Sequence, residues 1–179
     1  KLGMAAVGKH YPGHGRVSGD SHHTLPHDLR DLTEREADLY PFLHQIESGI
    51  EALMPAHIVY PQIDERPAGY SPQHIAALRH YGFDGAIISD DLDMAGAQGI
   101  ADPGERIQAA LAAGADVTLM CNDLAAIRQA LSRDYHLPDA ANSARRLAAL
   151  RARPIDATTA AAHYRAAQEL LQAHAADLV

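Results

Sequence analysis

Apolar residues fall along this chain in short runs separated by longer stretches of helical spacing. Leu2 to Gly8 (LGMAAVG), Glu51 to His57 (EALMPAH), Asp84 to Ser89 (DGAIIS) and Ala115 to Cys121 (ADVTLMC) are too short for helices, and each predicts a buried strand. Between the first two, Leu39, Phe42, Leu43, Ile46 and Ile50 keep a helical period. Thr33 and Glu36 ahead of them have capping-box spacing, and Pro41 among them predicts a kink or a split. Ser71-Pro72 opens a second helix with Ile75, Leu78 and Tyr81 on its buried face and Gly82 as its stop. Asp102-Pro103-Gly104-Glu105 opens a third, closed by Gly114, and Asn122 or Asp123 caps a fourth bearing Leu124, Ile127 and Leu131. Beyond Pro138, two helical stretches at about 139–151 and 156–176 are rich in Ala and Arg.

Strand followed by helix, four times over, is the pattern of a parallel sheet with right-handed crossovers. An open doubly wound sheet and part of a (β/α)8 barrel both satisfy it. The polar residues favour the barrel. Lys9-His10 follow the first strand, His57 the second, Asp90-Asp91 the third and Asn122 the fourth. Barrels gather their sites from many strand ends, whereas open sheets concentrate theirs at one switch point. The run GKHYPGHG has neither GxGxxG nor a GK[ST] ending, so no phosphate-binding fingerprint follows a strand. A whole barrel takes about 250 residues. The expected fold is therefore α/β, four strand–helix units making half of a TIM barrel, with added C-terminal helices. The two helical stretches beyond Pro138, over about 139–176, lie outside those four units.

Composition narrows the function without naming it. The chain has 179 residues, 47% apolar and 21% charged, an ordinary globular balance with enough length for a core. Its net charge of −8 argues against nucleic-acid partners. Cys121 is the only cysteine, so no intrachain disulfide forms and a reducing compartment is allowed. No apolar run approaches the ~20 residues of a membrane span. The chain begins at Lys1 without Met, so its N-terminus is not taken as the natural one.

The candidate chemistry lies in Lys9 to His27, KHYPGHGRVSGDSHHTLPH, which holds five of the twelve histidines. Pro12-Gly13, Gly15 and Ser18-Gly19-Asp20 prevent a helix, so this is a long loop dense in titratable groups. Asp20 stands two residues from His22. It can accept from one ring nitrogen and leave the other free to exchange protons near neutral pH. Asp90 and Asp91 end a buried strand and project differently, so one faces the site and the other orients neighbours or caps the next segment. A carboxylate there can be a nucleophile, a metal ligand or a structural cap.

KHYPGHGRVSGDSHHTLP, followed by Met54-Pro55-Ala56-His57, Asp64-Glu65-Arg66-Pro67-Ala68 and GAIISDDLDM, resembles the family 3 glycoside hydrolases. Within that family it resembles the bacterial β-N-acetylglucosaminidases of cell-wall recycling. The match runs from about Lys9 to Asn122, with Tyr11 in place of the usual Phe and Asp93 in place of the commoner Ser. The resemblance implies a (β/α)8 barrel and retaining hydrolysis of terminal β-linked N-acetylglucosamine from muropeptides. It casts Asp90 as nucleophile, His22 as acid/base tuned by Asp20, and Lys9 and His10 as partners of sugar hydroxyls. It implies no cofactor or metal and a cytoplasmic setting. It also implies that residues 1–179 are one catalytic-domain fragment, the C-terminal half of a TIM barrel with strands 5–8 over about 2–135 and helices over about 139–176, that an N-terminal half-barrel supplies an acidic residue and an arginine, and that the complete enzyme is a monomer.

Two other readings stay open. His10, His14, His22, His57 and Asp90 could form the ligand set of a metal-dependent barrel hydrolase, although no HxH ends a strand. A half barrel with unpaired edges could also be a truncated scaffold that catalyses nothing.

Overall fold

A computed structural model describes residues 3–154 and 156–174. Strand β1 (Val7–Tyr11) is followed by α1 (Glu36–Glu47), β2 (Ala52–Pro55), β3 (Val59–Tyr60), β4 (Asp64–Pro67) and α2 (Pro72–His80). Then come β5 (Ala86–Asp91), α3 (Pro103–Ala113), β6 (Val117–Leu119), α4 (Leu124–Ala130), α5 (Ala140–Ala149) and α6 (Ala157–Ala173). The main sheet runs β1-β2-β5-β6 with every pair parallel. Sequence order is spatial order, the strand–helix progression of a (β/α)8 barrel. Among the described residues these strands form an open arc with β1 and β6 as its edges. The central pair is the most apolar: all of β2 is buried, and Leu53 lies beside Ile87. Tyr11, Phe42, Leu53, Ile75, Leu78 and Ile87 form one core between the sheet and its helices.

The strands lie later or shorter than their apolar runs. The expected Leu2–Gly8 strand is corrected to Val7–Tyr11, with Leu2 outside the described residues. Pairing decides this, because β2 is fixed by burial and Val7 is the residue aligned with Ala52. Met4, upstream, is 77% exposed. Similarly β5 reaches Asp91, so both aspartates belong to the strand rather than to the loop after it.

Helix starts follow local chemistry. Ser71 and Asp102 accept from the N–H groups of His74 and Glu105, with proline at the first helical position in both cases. Asp123, not Asn122, caps α4. Gly82 and Gly114 carry positive φ at the helix stops. The Thr33–Glu36 capping box does not form. The reciprocal pair is Asp31 with Glu34, each accepting from the other's N–H at 2.9 and 3.0 Å, and it caps the turn leading into α1. Helix α1 continues through Pro41 rather than splitting. Ala37 and Pro41 are both exposed, which leaves water free to serve the carbonyl that proline deprives of a donor. Tyr81, Leu124 and Leu131 point outward, at 42%, 69% and 78% exposure, contrary to their helical spacing.

A buried carboxylate closes the N-terminal end of the sheet. Asp116 Oδ2 accepts from the Ile87 N–H at 2.8 Å and lies 3.4 Å from Arg79. Its Oδ1 accepts from the Ser143 hydroxyl at 2.5 Å and from Arg146 at 3.2 Å, which fastens α5 to the sheet.

His74 is fully buried beside the rings of Tyr11 and Tyr60, and neither ring nitrogen has a hydrogen-bond partner among the described residues. Burial, helped by the charge of Arg35, lowers its pKa to about 4. The unfolded imidazole titrates near 6.5. Between these values the unfolded chain binds more protons, so stability rises with pH across this window. The folded state is expected to lose about 3 kcal/mol as pH falls from about 6.5 to 4. Urea unfolding as a function of pH measures this, and His74→Phe should flatten that part of the profile.

Candidate active site

The C-terminal ends of the parallel strands bring together residues far apart in sequence. β1 presents Lys9 and His10, and β5 presents Asp90 and Asp91. The His10 Nε2 lies 3.4 Å from Asp90 Oδ2, and both side chains are largely shielded. Asp90 Oδ1 accepts from the Asp91 N–H at 2.9 Å. Burial holds the pKa of His10 below the usual imidazole value, against the opposing pull of Asp90. Lys9 is exposed and, with His10 and His14, lines an open cavity of about 480 Å³ facing Asp38, Phe42 and Gln45 of α1.

Asp91, the next residue along β5, projects to the opposite side of the strand from Asp90. Its Oδ1 accepts from the N–H groups of Asp93 at 3.0 Å and Cys121 at 3.1 Å, and its Oδ2 from the Asn122 side chain at 2.7 Å. Asp91 is thus the structural carboxylate of the pair, latching the end of β5 to the end of β6.

The loop after β1 carries the second acid–histidine pair. Asp20 Oδ1 lies 2.7 Å from His22 Nδ1 and accepts the His22 N–H at 2.9 Å. These bonds hold the Asp20 carboxyl below its usual range, the backbone N–H contributing most. An ionised carboxylate only accepts, so the shared proton sits on Nδ1 and Nε2 faces outward. His22 is 69% exposed, and among the described residues the pair makes no hydrogen bond or ion pair with Asp90. Ser21, between its two members, is buried: its carbonyl accepts from the Gly96 N–H at 3.0 Å, and its hydroxyl lies 3.4 Å from His14 Nε2.

His57, a ligand candidate from its position after β2, is buried with its Nε2 3.1 Å from the Asp91 carbonyl oxygen. The five-residue metal set is not assembled. Among the described residues no three His, Cys, Asp or Glu side chains are grouped to hold a metal ion. A separate cavity of about 390 Å³, lined by Leu25, Tyr70, Ile100, Ala109 and Ala113, is apolar and carries charge only from Glu65 and Arg66. The titratable groups gather elsewhere. The sequence pattern missed Ser21, whose importance depends on a contact with Gly96, 75 positions away; Asn122, expected at the end of the fourth strand, meets Asp91 there.

The arrangement has close counterparts. A beta-hexosaminidase of Pseudomonas aeruginosa is 50% identical over 133 residues, 73% of this chain and 40% of that protein. The crystal structure of NagZ from Neisseria gonorrhoeae in complex with N-trifluoroacetyl-D-glucosamine superposes with a TM-score of 0.72 at 40% identity, covering 95% of this chain and 47% of that one. A family 3 beta-N-acetylglucosaminidase from Paenibacillus sp. superposes at 0.75 with 30% identity, covering 87% and 34%. The chain spans about 40% of the length of the curated relative. The family described as "Glycosyl hydrolase family 3 N terminal domain" matches residues 1–149, and with the strand order and strand-end groups above, the chain belongs to that family.

Proposed function

We propose that this chain carries the catalytic groups of a retaining β-N-acetylglucosaminidase. Asp90 is the nucleophile, His22 is the acid/base, Asp20 fixes the His22 tautomer, and Lys9 and His10 meet sugar hydroxyls. One observation carries the reading: within a family 3 chain, Asp90 stands at the end of β5 beside His10, while the Asp20–His22 pair stands on the loop above. A carboxylate with one oxygen held by a backbone N–H and the other beside the His10 ring suits attack on an anomeric carbon. An outward Nε2 suits proton delivery to the departing oxygen and later removal of a proton from water. The relatives' names support an N-acetylglucosamine-containing substrate.

The finer reading is muropeptides from peptidoglycan as substrates in the cytoplasm, with residues 1–179 as one fragment carrying barrel strands 5–8. No helix among the described residues is long and apolar enough to cross a membrane. The open edges β1 and β6 are where the other strands of the barrel would pair.

An assay with an aryl N-acetyl-β-glucosaminide tests the reading. The 179-residue chain is expected to turn over slowly on its own, because groups that position substrate can supply roughly 7–11 kcal/mol in favourable cases. Joined to the remaining strands, it should release the aryl group equally well with and without chelator. Activity that disappears with chelator and returns only with zinc would reject the Asp90–His22 assignment. Full activity of the isolated chain would reject the shared-barrel assignment.

A further inference from the structure

His57 lies two residues beyond the end of β2 and is 1% exposed. Its Nε2 faces the Asp91 carbonyl at 3.1 Å, while its Nδ1 has no partner among the described residues. A carbonyl oxygen only accepts, so Nε2 carries the proton. Burial keeps the ring neutral, opposed by the nearby carboxylates of Asp90 and Asp91. The residue it grips is the one whose N–H donates to Asp90 Oδ1. The same side chain supports the loop. A Cβ at Gly96 would lie 2.9 Å from His57 Cβ and 3.2 Å from the Ser21 oxygen, so only glycine lets that turn sit on His57 and reach Ser21. The Gly96 N–H donates to the Ser21 carbonyl, between Asp20 and His22.

We propose that His57 is a positioning residue: its Nε2–H holds the Asp91 carbonyl while its Cβ and backbone seat the Gly96 turn that anchors Ser21. One buried side chain thereby sets the place of both Asp90 and the Asp20–His22 pair. The proposal rests on the glycosidase reading for what is being positioned, but its geometry is testable without turnover.

Imidazole nitrogen NMR on the whole 179-residue chain is the experiment. His57 should appear as the neutral Nε2–H tautomer at neutral pH. An Nδ1–H tautomer or an imidazolium overturns the proposal, and this measurement needs no variant and decides even where a substitution prevents folding. The second reading is the titration of His10, whose charged form Asp90 favours and Lys9 and His14 oppose, while a neutral His57 adds no charge of its own. In His57→Leu the Asp91 carbonyl loses its donor and Asp90 its fixed place, so the His10 midpoint should move down toward its value in Asp90→Asn. His57→Gln keeps an N–H donor at similar reach and should leave the midpoint where the native chain has it. An unchanged midpoint in His57→Leu, or an equal shift in His57→Gln, overturns the proposal. Failure of the glycosidase reading would look different: turnover would survive Asp90→Ala while the His10 pattern stayed intact.

Discussion

Asp90→Ala, assayed in the completed barrel, is expected to lower turnover by roughly 10⁴–10⁶-fold, the scale of losing a covalent nucleophile. Nothing nearby can replace it. Asp91 is committed to three donors, Asp93 just after β5 and Cys121 and Asn122 just after β6. The loss should be similar for good and poor leaving groups, because neither can form a glycosyl-enzyme. Mass spectrometry after incubation with a slow fluorosugar substrate should find the native enzyme labelled and the variant unlabelled. A variant within tenfold of native activity would leave Asp90 as a structural cap, the other role open to a carboxylate at a strand end.

His22→Ala should behave differently according to substrate. An aryl group of low pKa departs without a proton, so the first step is largely spared. Release of the intermediate still needs a base to activate water, so the glycosyl-enzyme on Asp90 should accumulate, and kcat and KM should fall together. Azide needs no base and should restore turnover, giving a glycosyl azide of retained configuration. General acid/base groups contribute about 10²–10⁴-fold, so the rescue should be plain. Asp20→Ala should give a milder form of the same behaviour, since the ring remains but loses its 2.7 Å partner. Equal losses on aryl and unactivated substrates, with no intermediate and no azide effect, would make His22 a binding or structural residue.

Parts of this molecule were legible before any coordinates, for physical reasons. Ala86-Ile87-Ile88 form an unbroken apolar run because both faces of β5 are covered, and β5 contains that run, two residues later than the expected Asp84–Ser89. Ser71-Pro72 and Asp102-Pro103 state their helix starts in covalent terms, and both caps form. Strand register was not legible: LGMAAVG is as apolar as a strand, yet only Val7 and Gly8 of it pair, because β2 dictates the alignment. The β3–β4 hairpin was also missed, being only two and four residues long and containing Asp64-Glu65-Arg66. Asp64 there accepts from Arg66 and Ser71, a local network that apolar periodicity cannot reveal.

In the site, the pairing of Asp20 with His22 was readable because only Ser21 separates them and a turn brings them together. The division of labour between Asp90 and Asp91 was readable only as an alternation. Which one faces His10 depends on β1 lying across β2 from β5, a long-range fact. His57 looked like a free strand-end group in sequence, whereas its burial follows from the Gly96 turn closing over it.

The Asp116 assembly lies at the opposite end of the sheet from Asp90, and this gives the scaffold two kinds of sequence tolerance. Arg79, Asp116, Ser143 and Arg146 join α2, the start of β6 and α5 through buried polar bonds. Removing one partner from such a cluster strands the others without water, at a cost of about 3–5 kcal/mol. The loops around Asp90 and His22 hang from the other end of the same strands and contribute little to this fastening. A library for new sugar specificity therefore belongs at exposed loop positions such as Arg16, Ser18 and His23, which leaves Asp20, Ser21 and His22 in place and does not touch the fastening of the arc. The same number of changes near Asp116 would return mostly unfolded chains.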